Sequence, residues 1–192
     1  MSSRDQILAA VQSAQPSFVE LPPEFVSAVS GGMEQFQQIL HSIGGKSILV
    51  NTIEAVLPEV DKMFPDAKRI ISAVPQLNRY QIKDEKVRHH TFSDADVVIA
   101  EAAFAVAENG AVWLTEDHYK IRVLPFIGEH LVVIVQAQHI VANMHQAYQL
   151  IGDGEYGFGV FIAGPSKTAD IEQSLVLGAH GPRTMTVFIV NN

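Results

Sequence analysis

The chain has 192 residues, 47% of them hydrophobic, a net charge of −8 and no cysteine. This suits one α/β domain with a sizeable core, and the acidity argues against nucleic-acid or anionic-membrane surfaces, which need concentrated Lys and Arg. Without thiolates there is no disulfide and no iron–sulfur cluster held through cysteine, so redox chemistry would need another bound cofactor or a partner. The opening MSSRDQILAAVQSAQP lacks the continuous apolar stretch of a signal peptide. No apolar run approaches ~18 residues, so a soluble, cytoplasmic chain without membrane spans is expected.

Residues 3–11 read as a helix with Ile7, Leu8 and Val11 on one face. A proline-containing linker follows over 15–24. Met33, Phe36, Gln37 and Leu40 trace a second helix that stops at Gly44-Gly45. Residues 1–45 are therefore expected to form an N-terminal helical extension, as a lid or arm or as plain packing helices. Residues 46–192 form the α/β domain.

From Lys46 strands and helices alternate. SILVN and RIISAV read as strands, and IEAVLPEVDKMF as a helix interrupted early by Pro58. VRHHTF and DVVIAEA are strand-like. FAVAENGAVWLT predicts a hairpin, with Asn109-Gly110 as a type I′ turn. LVVIVQ is apolar throughout, as in a strand buried on both faces. QHIVANMHQAYQLI predicts an amphipathic helix. FGVFIAG, TADIEQSLVLGA and MTVFIV complete a strand, a helix and a strand. The pattern predicts a mostly parallel sheet flanked by helices, with an antiparallel hairpin.

Ligands of open α/β sheets sit beyond the carboxyl ends of strands. Gly164 occupies such an end, and Gly164-Pro165-Ser166-Lys167 leads towards a helix predicted from Thr168 or Ala169. Ser166 or Thr168 could cap that helix, and Asp170 suits its first turn. Lys167 opposes the helix dipole, so it either reaches towards a bound carboxylate or phosphate or points into water. Asp170 could orient Lys167 or a ligand hydroxyl. His180 and Arg183 precede the last strand and are expected at the opposite end of the sheet, in a structural role. Glu108 at the hairpin tip could be a nucleophile, a base or a solvated turn residue. Glu101 ends a strand, and Arg122 could clamp a carboxylate bidentately. His139 and His145 fall on different helix faces, and no histidine spacing matches a zinc site.

GPSKTADIEQSLVLGAHGP resembles the signature of the lactate-utilisation (LUD) domain family, a Gly-Pro-Ser-x-Thr-Ala-Asp-Ile-Glu segment before Gly-x-His-Gly-Pro. AVAENGAVWL resembles the family's Ala-Glu-Thr-Gly-Thr hairpin, and RVLPFIGEHLVVIV its Arg, Leu-Pro and His approach to a strand. The resemblance spans roughly residues 46 to 190. It implies the NagB/RpiA/CoA transferase-like fold. It also implies a role in bacterial L-lactate oxidation to pyruvate beside an iron–sulfur oxidoreductase partner, with this chain as an accessory component. The expected ligand is a small anion, its site built from Asn109, Gly110, Arg122, Gly164, Pro165, Ser166, Lys167, Thr168 and Asp170. Asn109 and Ala111 stand where the common family pattern has Thr. Glu108-Asn109-Gly110 instead resembles the Glu-Asn-Gly motif of CoA transferases, which makes a CoA-transferase or isomerase type of enzyme, with Glu108 as nucleophile or base, the alternative. The oligomeric state is left open.

Overall fold

A computed structural model describes residues 2–20, 31–80, 89–169 and 175–191. In chain order, α1 (Ser3–Ser13) and α2 (Met33–Ser42) precede β1 (Lys46–Val50), α3 (Val56–Met63), β2 (Ile70–Ser72) and β3 (Val97–Glu101). Then come β4 (Phe104–Val106), β5 (Ala111–Thr115), the short helices α4 (Glu116–Tyr119) and α5 (Leu124–Ile127), and β6 (His130–Gln136). The chain ends with β7 (Ile140–Val141), α6 (Met144–Ile151), β8 (Gly159–Ala163), β9 (Lys167–Ala169), β10 (Leu175–Leu177) and β11 (Thr184–Val190).

The strands with long apolar runs assemble a parallel sheet in the order β1-β11-β6-β3-β2. Such strands need cover on both faces. On one face Val97, Ile99, Val132, Ile134 and Phe188 pack with Val56 and Val60 of α3. On the other, Leu131, Val133, Met185 and Val187 join Phe36 and Leu40 of α2 and Val112 and Leu114 of β5. A second, mixed sheet, β7-β4-β5-β8, thus backs the first. Its outer side, with Phe104, Trp113 and Phe161, is covered by Met144, Ala147 and Ile151 of α6. The fold is α/β, as expected.

The two N-terminal helices differ. α1 has a Ser2–Asp5 capping box but buries no residue. α2 buries Phe36 and Leu40 completely, about 1.5–3 kcal/mol for each side chain removed from water. It ends in a Schellman motif, with the Gly45 amide donating to Leu40 O at 2.9 Å and the Gly44 amide to His41 O at 3.0 Å. Pro58 falls in the first turn of α3, where its missing N–H breaks no helix bond.

Several local expectations are corrected. The TADIEQSLVLGA helix is absent over its described residues. Lys167–Ala169 and Leu175–Leu177 pair as an antiparallel ribbon, with Thr168 opposite Val176. Asp170 and residues 171–174 lie outside the described residues. The strand at 159–163 belongs to the second sheet, antiparallel to β5, not to the parallel one. His89–Phe92 is a 3-10 turn rather than a strand. The helix read from Gln138 starts only at Met144, because Asn143 Oδ1 caps it by accepting from the Gln146 amide at 3.0 Å. The hairpin tip is a four-residue loop. Gly110 has φ 69° and Asn109 does not have positive φ, so the turn is not type I′.

Candidate functional site

The register of the second sheet sets two loops side by side. Ala111 pairs with Ala163, so Gly110, just before one, and Gly164, just after the other, share an end of the sheet. Both pack against the C-terminus of α2. A Cβ on Gly164 would lie 3.0 Å from Ile43 O, and one on Gly110 would lie 3.1 Å from Leu40 and Ile43 atoms. Each also has positive φ, 72° and 69°, so only glycine suits both the conformation and the space. The Lys167 ammonium donates to the carbonyl of Ile43, the C-cap residue of α2. The cation that fits poorly at a helix N-terminus therefore sits at a helix C-terminus, where the dipole favours it.

The other predicted residues of this end are engaged locally. Glu108 accepts the Met144 amide at 2.9 Å, which places its carboxylate at the N-terminus of α6. Asn109 Oδ1 accepts the Ala111 amide at 3.0 Å. Gly164 and Pro165 are buried, and Lys167 is exposed.

Arg122 lies elsewhere. It binds Glu116 at 2.7 Å, and Glu116 also accepts the Gly157 amide at 3.0 Å. Glu116 follows Thr115, which pairs with Gly159 at the far end of the same ladder. Four residue steps along the strand separate that pair from Ala111 and Ala163, about 13 Å at ~3.3 Å per residue. Arg122 therefore does not meet Glu108 or Lys167.

The second half of the signature is not remote from the first. The Ser166 amide donates to Pro182 O at 2.9 Å, and the Gly178 amide donates to Ser166 O at 3.0 Å. The expectation that 178–183 lies at the opposite end of the sheet from loop 164–167 is corrected, and the cause is the placement of β8 in the second sheet. The ribbon β9–β10 runs from these paired loops.

Loop 178–183 borders a cavity of about 780 Å³ at the amino ends of the parallel strands. Backbone bonds align the segments that lead into those strands. The Asp96 amide donates to Arg69 O at 3.0 Å, that of Glu129 to Ala95 O at 3.1 Å, and that of Arg183 to Glu129 O at 2.8 Å. Lys68, Arg69, Ser93, Asp94, Asp96, Phe126, Glu129, His180 and Arg183 consequently converge on one opening. Arg69 pairs with Asp94, and Arg183 with Glu129 at 2.7 Å. The amides of Arg69 and Lys68 donate to Asp96 at 2.8 and 2.7 Å and hold its carboxyl below the usual range.

His130 is adjacent. Its Nδ1 is 2.8 Å from Thr184 Oγ1, and its ring stacks on Phe64 at 4.6 Å. Burial pushes its pKa below the ordinary imidazole value, opposed by the charge of Glu129. A smaller cavity of about 290 Å³, lined by Phe64, Asp66, Asp96, Glu129 and His130, adjoins it through the shared Asp96 and Glu129. Among the described residues no group of three metal-ligating side chains forms, and no helix is long and apolar enough to cross a membrane.

Sequence reasoning missed Lys68, Arg69, Asp94, Asp96 and Glu129. Each begins or precedes a strand, and only the parallel register makes them neighbours. The signal within reach was that three segments carrying opposite charges all stand just before apolar strands.

A parallel five-stranded sheet, a mixed second sheet and paired signature loops define an α/β domain of two stacked sheets. The family model described as LUD domain matches residues 33–190, and the chain belongs to that family. Relatives include Lactate utilization protein C of Shouchella clausii, 33% identical over 123 residues, or 62% of this chain and 54% of that protein. Lactate utilization protein C of Bacillus pumilus is 29% identical over 136 residues, 68% of this chain and 56% of that protein. The chain spans about half the length of these curated relatives. A crystal structure of a DUF162 family protein from Deinococcus radiodurans shares the fold, with a TM-score of 0.63 at 20% identity, over 82% of this chain and 94% of that one.

Proposed function

We propose that the chain is an accessory component of bacterial L-lactate oxidation to pyruvate, binding a small anionic molecule and working beside an iron–sulfur oxidoreductase. The observation that carries this reading is the LUD domain match over residues 33–190, with relatives called lactate utilization protein C. The absence of cysteine supports a role other than carrying electrons through a cluster. The anion-binding part draws on the convergence of motif loops around cations. Loop 164–168 steadies loop 178–183 through Ser166, and His180 and Arg183 of that loop line the cavity. Deleting the gene in its own host, with paralogues removed, tests the reading. Growth on L-lactate should be impaired and restored by the intact chain; unchanged growth would sink it.

The acyl-transfer or isomerase alternative draws on the exposure of Glu108 at the hairpin tip. The hydrogen bond from Met144 gives that carboxylate a helix-capping task instead. Mass spectrometry after incubation with acyl-CoA esters separates the two, since only the alternative expects an adduct that Glu108→Gln abolishes.

A further inference from the structure

Two arginines share the 780 Å³ cavity, and each already holds a carboxylate, Arg69 that of Asp94 and Arg183 that of Glu129. All four side chains are reached by solvent, Asp94 at 70% and Arg183 at 65% exposure. Exposed ion pairs contribute little to stability. An incoming oxyanion can therefore take over a guanidinium while Asp94 or Glu129 turns to water.

The planar fork of arginine matches phosphate bidentately. The cavity falls within the roughly 300–1,000 Å³ of sites for cofactor-sized ligands, more room than a three-carbon acid needs. Phe126, 37% exposed, offers an apolar surface on its wall. Gly178, at φ 80°, lets the Arg183 stem lie against its backbone, where a Cβ would be 2.3 Å from Arg183 Cγ.

We propose that this cavity binds a phosphorylated small molecule, its phosphate held by Arg69 and Arg183 in place of Asp94 and Glu129, and its less polar part on Phe126. The proposal rests on the anion-binding part of the reading above and not on the lactate role. Removing a competing carboxylate should strengthen binding, which an incidental contact with a basic surface does not require.

Titration calorimetry of the full chain with pyrophosphate and with ADP tests it, with citrate as the carboxylate comparison. Both phosphorylated probes should bind, and citrate should bind at least about tenfold more weakly than pyrophosphate. Arg69→Lys and Arg183→Lys, which keep the charge, should each weaken binding about tenfold, and Asp94→Asn should tighten it. Melting curves matching the parent chain show that the variants fold. The proposal is overturned if neither phosphorylated probe binds at millimolar concentration. It is also overturned if folded lysine variants bind as the parent does, or if citrate matches pyrophosphate. A chain that binds pyrophosphate this way yet is dispensable for growth on L-lactate keeps this inference and loses the physiological role.

Discussion

Around Ile43, Gly110 and Gly164 the motif residues fill space, whereas around Arg69, Glu129 and Arg183 they surround it. In the first region two positive-φ glycines bring a hairpin tip and a loop onto the end of α2, and Lys167 completes the helix terminus. In the second, charged side chains from several strand beginnings border an open cavity. One stretch of motif can therefore close packing in one place and border an open cavity a few residues along. The two halves of GPSKTADIEQSLVLGAHGPR divide in this way, the first half holding the second in position through Ser166.

Substitutions that separate stability from binding can break this comparison. Gly164→Val should have the largest effect. It combines a left-handed backbone penalty of about 1–2 kcal/mol with overpacking against Ile43 of about 1–3 kcal/mol. Urea denaturation should show the loss, and the folded fraction should still bind pyrophosphate. Asp96→Ala should cost about 1–2 kcal/mol, because two backbone amides lose their acceptor. The lowered pKa of Asp96 fixes the pH dependence. Its contribution is present above the ordinary carboxyl value near ~3.9 and is lost as pH falls through the folded value, so the variant should differ least from the parent in acid. Lys167→Met should cost only about 0.3–1 kcal/mol, screened by salt, and leave probe binding unchanged. His130 should give a pH signal of opposite origin. Its folded pKa is lowered, so the unfolded chain binds more protons between the two values. Stability should be full above the ordinary imidazole value near ~6.5 and decline as pH drops towards the folded one, and His130→Gln should flatten that slope.

The parallel sheet was legible because β3, β6 and β11 are apolar on both faces, which few other environments permit. The α2 stop was legible because Gly44-Gly45 states its own geometry. The ribbon was not. Thr168, Leu175 and Val176 suit a strand as well as a helix, and the apolar spacing of so short a segment does not separate the two. With Lys167–Ala169 in a ribbon strand, the helix N-terminus that would give Lys167 an anion role is not there. The cavity was illegible for a different reason. Lys68, Arg69, Asp96, Glu129 and Arg183 are scattered over more than a hundred positions and meet only through register. The hairpin tip falls between these cases, since Asn109-Gly110 marks Gly110 as a turn glycine while the turn type depends on packing against Leu40 and Ile43.

Hydrogen–deuterium exchange with and without ADP compares the two regions directly. Binding at the amino-end cavity predicts slowed exchange in segments 68–69, 94–96, 128–130 and 178–183, with residues 107–110 and Lys167 unchanged. Slowing confined to the Gly110 tip and the 164–167 loop, with the cavity segments unaffected, would contradict it.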